Sequence, residues 1–293
     1  MNSPIIQIDS NHIAYVLWFE GMTGGTNWLK VRSLSNHGRD HGEVQTICAL
    51  RTTNWINGNL ELKRTNTAGD SDTFRAWPFP VPAVNPAQSN HLYVAFADRG
   101  TNAADKADIF LTYSVDGGTN WTVPTPVNTV WTNDQWMPVL AVKPDGTQLF
   151  MAWYDRRNDP NNGLMEVFGR WATLETNGSV SLGDEFRITS VSYPHVFSGT
   201  DTNNFVIGRY DPVYPPTDEP NTNGVNLHWW YPEWPEDPFE IAIGTHKNHV
   251  GEYNGLAVDA SGLFFSWTDN RVWSGREWLR AQSDIRHIRL TWP

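Results

Sequence analysis

The feature that most limits what this chain can fold into is a strand that recurs with the same ending. An apolar run closes on an aromatic residue, one further residue and an acid. The copies are HIAYVLWFE ending at Glu20, HLYVAFADR around Asp98, QLFMAWYDRR around Asp155 and GLFFSWTDNR around Asp269. Asp98 and Asp155 lie 57 residues apart and Asp155 and Asp269 lie 114 apart, twice that distance, which implies another copy between the last two. NLHWWYPE, from Asn226, fills that gap with Trp230 in the aromatic position and Pro232 in the acidic one. Repetition at such a period means one small unit used many times, each unable to bury its apolar face alone.

Shorter strands precede four of these copies: IIQID at Ile5, VPAVN at Val81, MPVLAV at Met137 and NGLAVD at Asn254, the last two followed by turn sequences. Third strands follow as WLKVRSLS from Trp28, DIFLTYS from Asp108, LMEVFGRW from Leu164, FEIAIG from Phe239 and SDIRHIRL from Ser283. EFRITSV, from Glu185, reads as a fourth. Antiparallel sheets of four strands, repeated, predict an all-β chain folded as a single β-propeller over residues 1–293. About six blades are expected, five of them read directly, with residues 43–65 as the place for a degenerate sixth and five blades as the alternative. Residues 200–224 and 232–238, rich in Asp, Asn, Pro and Thr or in Pro and acids, read as inserted loops. The 16 Trp, 13 Phe and 9 Tyr beside 23 Gly and 19 Pro fit short aromatic strands punctuated by turns, and long helices are not expected.

Within DIFLTYSVDGGTNW, Ser114, Asp116, Gly118 and Trp121 stand at the spacing S-x-D-x-G-x-x-W. The Asp carboxylate accepts amides of its own turn, the glycines take positive φ, and the Trp packs back across the hairpin. GMTGGTNW, residues 21–28, keeps Gly25 and Trp28 of the same pattern. The spacing resembles the Asp box of the bacterial neuraminidase repeat, found in sialidase-like β-propellers, and VGEYNGLAVDASGLFFSWTDNR followed by SDIRHIRL resembles their closing blade. The resemblance implies that the box lies on the outer edge of a blade, away from a substrate pocket over the axis. It implies action on a glycan, but the family's N-terminal Arg-Ile-Pro motif is absent and no Arg precedes Arg32, which argues against true sialidase activity. The family's G-D-Y turn has become Gly251-Glu252-Tyr253 and Gly208-Arg209-Tyr210.

A formal net charge of −11 repels phosphate backbones and anionic lipid, so neither nucleic acid nor a membrane is an expected partner. Cys48 stands alone, which excludes an intrachain disulfide. The N-terminal stretch has no basic segment followed by an apolar one; the expectation is a secreted protein whose leader is not part of this sequence, with the cytoplasm as the alternative.

The candidate site gathers at the starts of the innermost strands. Arg209 is expected to orient a carboxylate or hydroxyl, Glu252 or Tyr253 to transfer a proton, and His249 to be a second candidate for that role. Adjacent strand residues face opposite ways, so one of each pair faces the pocket. Arg75, Asp134, Trp136, Tyr210, Trp229 and Trp230 are expected to bind substrate, with Trp77, Asp211 and Trp234 nearby; blade core is the competing reading for the indoles. The Asp-x-Arg pairs, Asp155 with Arg157 and Asp269 with Arg271, recur once per blade and read as strand-end clamps. His246, His249 and Glu252 have helix-like spacing in a non-helical context, a weak basis for Zn²⁺. Asp155, Asp159 and Asn161 offer oxygen types for Ca²⁺ without EF-hand spacing, against a solvated loop; no cofactor is otherwise expected. The leading function is therefore a glycoside hydrolase, lyase or lectin-like propeller. The alternative is a non-enzymatic scaffold holding another protein through its rim and loops.

Overall fold

The structure is a computed structural model that describes residues 2–21, 25–52, 60–62, 74, 76–100, 106–194, 254–269 and 284–293. Its described strands form four antiparallel sheets in which most chain neighbours are sheet neighbours. The first contains β1 (Asn2–Ile8), β2 (Ala14–Glu20), β3 (Trp28–Ser35), β4 (Asp40–His41) and β5 (Gln45–Ala49). The second contains β6 (Val81–Val84), β7 (Leu92–Asp98), β8 (Asp108–Ser114) and β9 (Thr125–Pro126). The third contains β10 (Gln135–Val142), β11 (Gln148–Asp155), β12 (Leu164–Leu174), β13 (Val180–Arg187) and β14 (Tyr193–Pro194), and the last contains β15 (Gly255–Val258), β16 (Gly262–Asp269) and β17 (Asp284–Thr291). Among the described residues the only helical piece is a 3₁₀ turn, Asn36–Gly38.

The first strands lie innermost and side by side: β1 packs beside β6, β6 beside β10, and β10 beside β15. This is the blade arrangement of a β-propeller, and the four described sheets follow one another around it. Gln45–Ala49, in the stretch where a degenerate blade was expected, pairs with β3 and belongs to the first sheet. The third and last sheets are direct neighbours, with Phe150 and Phe265 centroids 6.5 Å apart. The strands expected between them, from Asn226 and Phe239, lie outside the described residues. The fourth strand expected from Glu185 starts earlier, at Val180, after a turn through Gly178.

The strand β7 shows how the sequence selects this packing. Its seven residues, LYVAFAD, are all buried. Leu92, Val94 and Phe96 join Tyr15, Leu17 and Phe19 of the first sheet in one core. Tyr93, Ala95 and Ala97 point the other way into a larger core with Trp136, Leu140 and Trp153 of the third sheet. A strand with a sheet on both faces needs apolar side chains at both phases of its period, which is why it reads as a continuous run. Each large side chain so buried contributes roughly 2 kcal/mol.

The turn from β8 to β9 is held by its own side chains. Ser114 Oγ donates to Asp116 Oδ1 at 2.8 Å and accepts the Gly118 amide at 2.9 Å. Asp116 accepts the Asn120 amide at 2.9 Å, and Trp121 Nε1 donates to the Gly118 carbonyl at 3.0 Å. Gly117 and Gly118 carry φ of 71° and 85°, left-handed backbone that glycine adopts without a Cβ clash. The turn docks through the Gly117 amide on Asn90 O, beside the β6–β7 connection, at the end of the sheet away from the start of β6.

Candidate functional site

The opposite end, where first strands begin and second strands finish, concentrates buried charge. Asp98, Asp155 and Asp269 close β7, β11 and β16, and all three are buried. Directly across the ladder from Asp98 and Asp155 stand Asp108 and Glu166. Like charges opposite one another are unfavourable, so each carboxylate needs donors. Asp98 accepts the amides of Arg51, Thr52 and Arg99 at 2.7, 2.9 and 2.8 Å and the Thr52 hydroxyl at 2.7 Å. Asp155 accepts Trp153 Nε1 at 2.9 Å, the Arg157 amide at 2.7 Å, and Arg157 Nε and Nη2 at 2.9 and 2.6 Å.

Arg157 continues to Glu185 on β13, and its guanidinium lies 4.1 Å from the Phe168 ring centroid. Glu185 in turn accepts the Thr129 amide and hydroxyl at 2.7 and 2.8 Å, from the segment leading into the third sheet. Burial alone would lower the Arg157 pKa and raise that of Glu185, yet the ion pair and its hydrogen bonds carry them the other way, Arg157 up and Glu185 down. The first of the two Asp-x-Arg pairs is thus a clamp across the strand ends. Arg271, of the second, is outside the described residues, while Trp267 Nε1 reaches Asp269 at 3.4 Å as Trp153 reaches Asp155.

One residue along, Arg156 turns inward. It is fully buried, with Nη1 3.4 Å from Asp134 Oδ2. Its guanidinium lies 5.4 Å from the Phe74 ring and 5.0 Å from the Trp136 ring. Asp134 also accepts Asn162 Nδ2 at 2.8 Å and the Lys106 amide at 3.1 Å. Burial pushes the Asp134 carboxyl up and the Arg156 guanidinium down from their usual values, with their mutual attraction opposing both shifts. Trp136 stacks on Tyr154 at 5.5 Å, and its buried indole N–H has no hydrogen-bond partner among the described residues. Tyr154 Oη donates to Asn254 Oδ1 at 3.0 Å and accepts the Thr268 amide at 3.0 Å, tying the third sheet to the last; burial pushes its pKa up. Immediately after Trp136 a bulge interrupts the β10–β11 register, with Met137 at φ 50°.

Of the residues expected to bind substrate, Asp134 and Trp136 are thus brought together, beneath the surface and already engaged. Arg75, Arg209, Tyr210, Trp229, Trp230, Trp234, His246, His249, Glu252 and Tyr253 lie outside the described residues. The oxygen set considered for Ca²⁺ is committed elsewhere: Asp155 to Arg157, and Asp159 to the amides of Asn161, Gly163 and Leu164 at 3.0, 2.8 and 2.6 Å. Among the described residues no group of three or more His, Cys, Asp or Glu is placed to hold a metal ion. Sequence reasoning passed over Arg156 and Asn162. Period two was the available signal, because pairing Asp155 with Arg157 on one side leaves Arg156 facing the other.

No protein-family model and no curated protein matches the chain. Solved structures do. An α-L-arabinanase of Penicillium chrysogenum, complexed with arabinobiose, is similar at 15% identity and a TM-score of 0.44, over 64% of this chain and 50% of that one. An α-L-arabinofuranosidase of Fusarium graminearum, also with arabinobiose, is 10% identical at a TM-score of 0.43, over 66% and 52%. A Hadza microbial sialidase is 11% identical at 0.39, over 63% and 37%. This chain spans about half or less of the length of these proteins.

Proposed function

We propose that this protein is a sialidase-like propeller that binds or acts on an extracellular glycan, of glycoside hydrolase or polysaccharide lyase type, and is not a true sialidase. The observation that carries this reading is the contrast between the two ends of its sheets. Charged groups and aromatic rings converge where the first strands begin, with Trp136 and Tyr154 stacked over the buried Asp134–Arg156 pair. Sugar recognition uses that combination of flat apolar surface and fixed polar groups. The hydrogen-bonded turn from Ser114 to Trp121, at the other end, supports the Asp-box reading.

In this proposal Asp134 and Trp136 form the floor that holds the site in shape. Arg209 orients the sugar, Glu252 or Tyr253 moves the proton with His249 in reserve, and Arg75, Tyr210, Trp229 and Trp230 contact the substrate. The test is affinity electrophoresis against a panel of neutral and anionic polysaccharides, with release of reducing ends and of unsaturated products followed in parallel. Retardation and turnover that vanish in Arg209→Ala and Glu252→Gln, at unchanged melting temperature, support these roles. A parent protein indifferent to every polysaccharide refutes the glycan reading.

The scaffold reading has one observation in its favour. Ile6 and Ile8 on the first sheet, and Phe264 and Ile285 on the last, are exposed, Ile285 to 80%. A stable assembly with another protein by light scattering, unaffected by Arg209→Ala and Glu252→Gln, would favour it.

A further inference from the structure

The connection from β6 to β7, residues 85–91, is gripped by turns of both neighbouring sheets at the end away from the candidate site. Ser89 Oγ accepts Asn11 Nδ2, from the β1–β2 turn, at 2.6 Å. Gln88 Nε2 donates to Thr176 O of the β12–β13 turn at 3.2 Å, and Asn85 Nδ2 to Gly146 O of the β10–β11 turn at 3.0 Å. Asn90 Nδ2 reaches Val115 O, in the turn that follows β8, at 2.5 Å. His91 closes the connection, its amide bonded to Gln88 O at 2.8 Å and its carbonyl to the Asn85 amide at 2.9 Å.

The His91 imidazole is 7% exposed and lies under Gly178 of the β12–β13 turn. A Cβ on Gly178 would stand 3.0 Å from both Nδ1 and Cε1 of the ring and 2.3 Å from Val115 Cγ1, at φ 83°, so only glycine lets this turn close over the histidine. Nδ1 is buried and has no hydrogen-bond partner among the described residues. The neutral ring therefore carries its one proton on Nε2. Charging it would place a second proton on Nδ1, against a glycine backbone and a valine methyl with no acceptor to receive it.

The charged groups on the surrounding elements do not offset that cost. Asp9 of the β1–β2 turn holds the Asn11 and Ile13 amides, Asp116 the Asn120 amide, and Asp145 of the β10–β11 turn the Lys143 ammonium at 2.9 Å. His12 and Glu175 are exposed, and Tyr93 and Tyr113, paired across β7 and β8, bring hydroxyls rather than charge. Burial lowers the His91 pKa, and no neighbouring carboxylate raises it.

We propose that His91 is an acid-sensitive latch between the second and third sheets: neutral, it lets the β12–β13 turn close over it; protonated, it frees that turn, and the end of the propeller away from the candidate site loosens first. The stabilisation is complete above the ordinary histidine value of about 6.5 and is lost as pH falls below it and through the lower folded value. The inference is independent of the glycan reading.

The experiment follows amide hydrogen exchange and thermal melting of the parent, His91→Gln and His91→Phe between about pH 5 and 8, where neither replacement titrates. On acidification the parent should lose protection several-fold at residues 174–180, after correction for intrinsic exchange, while residues 150–155 of β11 keep theirs and both variants change little at either place. The parent's melting temperature should also fall further than the variants' over that range, by about 2 °C or more. Equal pH dependence in all three proteins overturns the latch. A steeper fall in the parent with unchanged protection at residues 174–180 makes the effect global and overturns it as well. Proton NMR titration of the His91 ring in the parent decides the matter even where a variant fails to fold: a pKa at or above the ordinary value overturns the proposal, and one below it, tracking the exchange at residues 174–180, supports it.

Discussion

Left-handed backbone occurs at both ends of the sheets, but in different residues. Where the first strands begin it falls on Glu61, Met137 and Asn162; where the first strands finish it falls mostly on glycines, among them Gly117, Gly118, Gly146 and Gly178. The two ends also satisfy their carboxylates differently. Asp116 and Asp145 serve as exposed caps within their own turns, whereas Asp134 and Asp155 are buried and held by arginines from the following loop. Turns whose only duty is to reverse the chain use the residue for which reversal is easiest. The other end carries its left-handed residues and its buried carboxylates where the first strands begin, which is where the proposed site lies.

That contrast is broken most directly at Asp134. Asp134→Ala removes a buried carboxylate that faces the buried Arg156 guanidinium, and should cost about 3–5 kcal/mol. In a chain of this size that lowers the melting temperature by roughly 10 °C, and the double variant with Arg156→Met should recover most of the loss. A single variant that melts like the parent would mean that the pair is not desolvated.

At the other end Gly146→Ala tests whether glycine is required rather than convenient. A Cβ there would stand 2.2 Å from Asn85 Oδ1 and 2.7 Å from the Ala87 Cβ, at φ 75°, so a loss of about 2–3 kcal/mol is expected in chemical denaturation.

Asp116→Ala removes an exposed cap and should cost about 1 kcal/mol. Burial pushes the Asp116 pKa up, but the hydrogen bonds from Asn120 and Ser114 together outweigh it and hold the carboxyl below its usual value. Its contribution is therefore present above about pH 4, where the unfolded carboxylate is ionised, and is lost as pH falls through the depressed folded value. Parent and variant stabilities should converge in that acid range, and a gap that persists there contradicts the account.

The smallest effect expected is none at all: EDTA should leave the melting temperature unchanged, since Asp155 and Asp159 already face nitrogen donors. A fall of several degrees would return metal binding to consideration.

Much of the blade pattern was legible because it depends on local rules. The recurring apolar run with its aromatic and acidic ending placed β2, β7, β11 and β16, and the spacing from Ser114 to Trp121 located a turn whose bonds are made within eight residues. What could not be read was which polar residues would be taken inside. Asp134 looked like a group for a ligand, and it is one member of a buried pair whose partner lies 22 residues on, on another strand end. Trp136 followed the same fate, because an indole that suits a sugar face suits an arginine equally well.

The double burial of β7 bears on how the chain is made. Each described sheet is built from one stretch of the chain, so it can assemble as it leaves the ribosome. Yet Tyr93, Ala95 and Ala97 share their core with residues of the third sheet, among them Trp136 and Trp153. A nascent chain halted near Ser114 would therefore display a bare apolar surface, and it is at that stage of synthesis, more than in the finished protein, that chaperones would find something to hold.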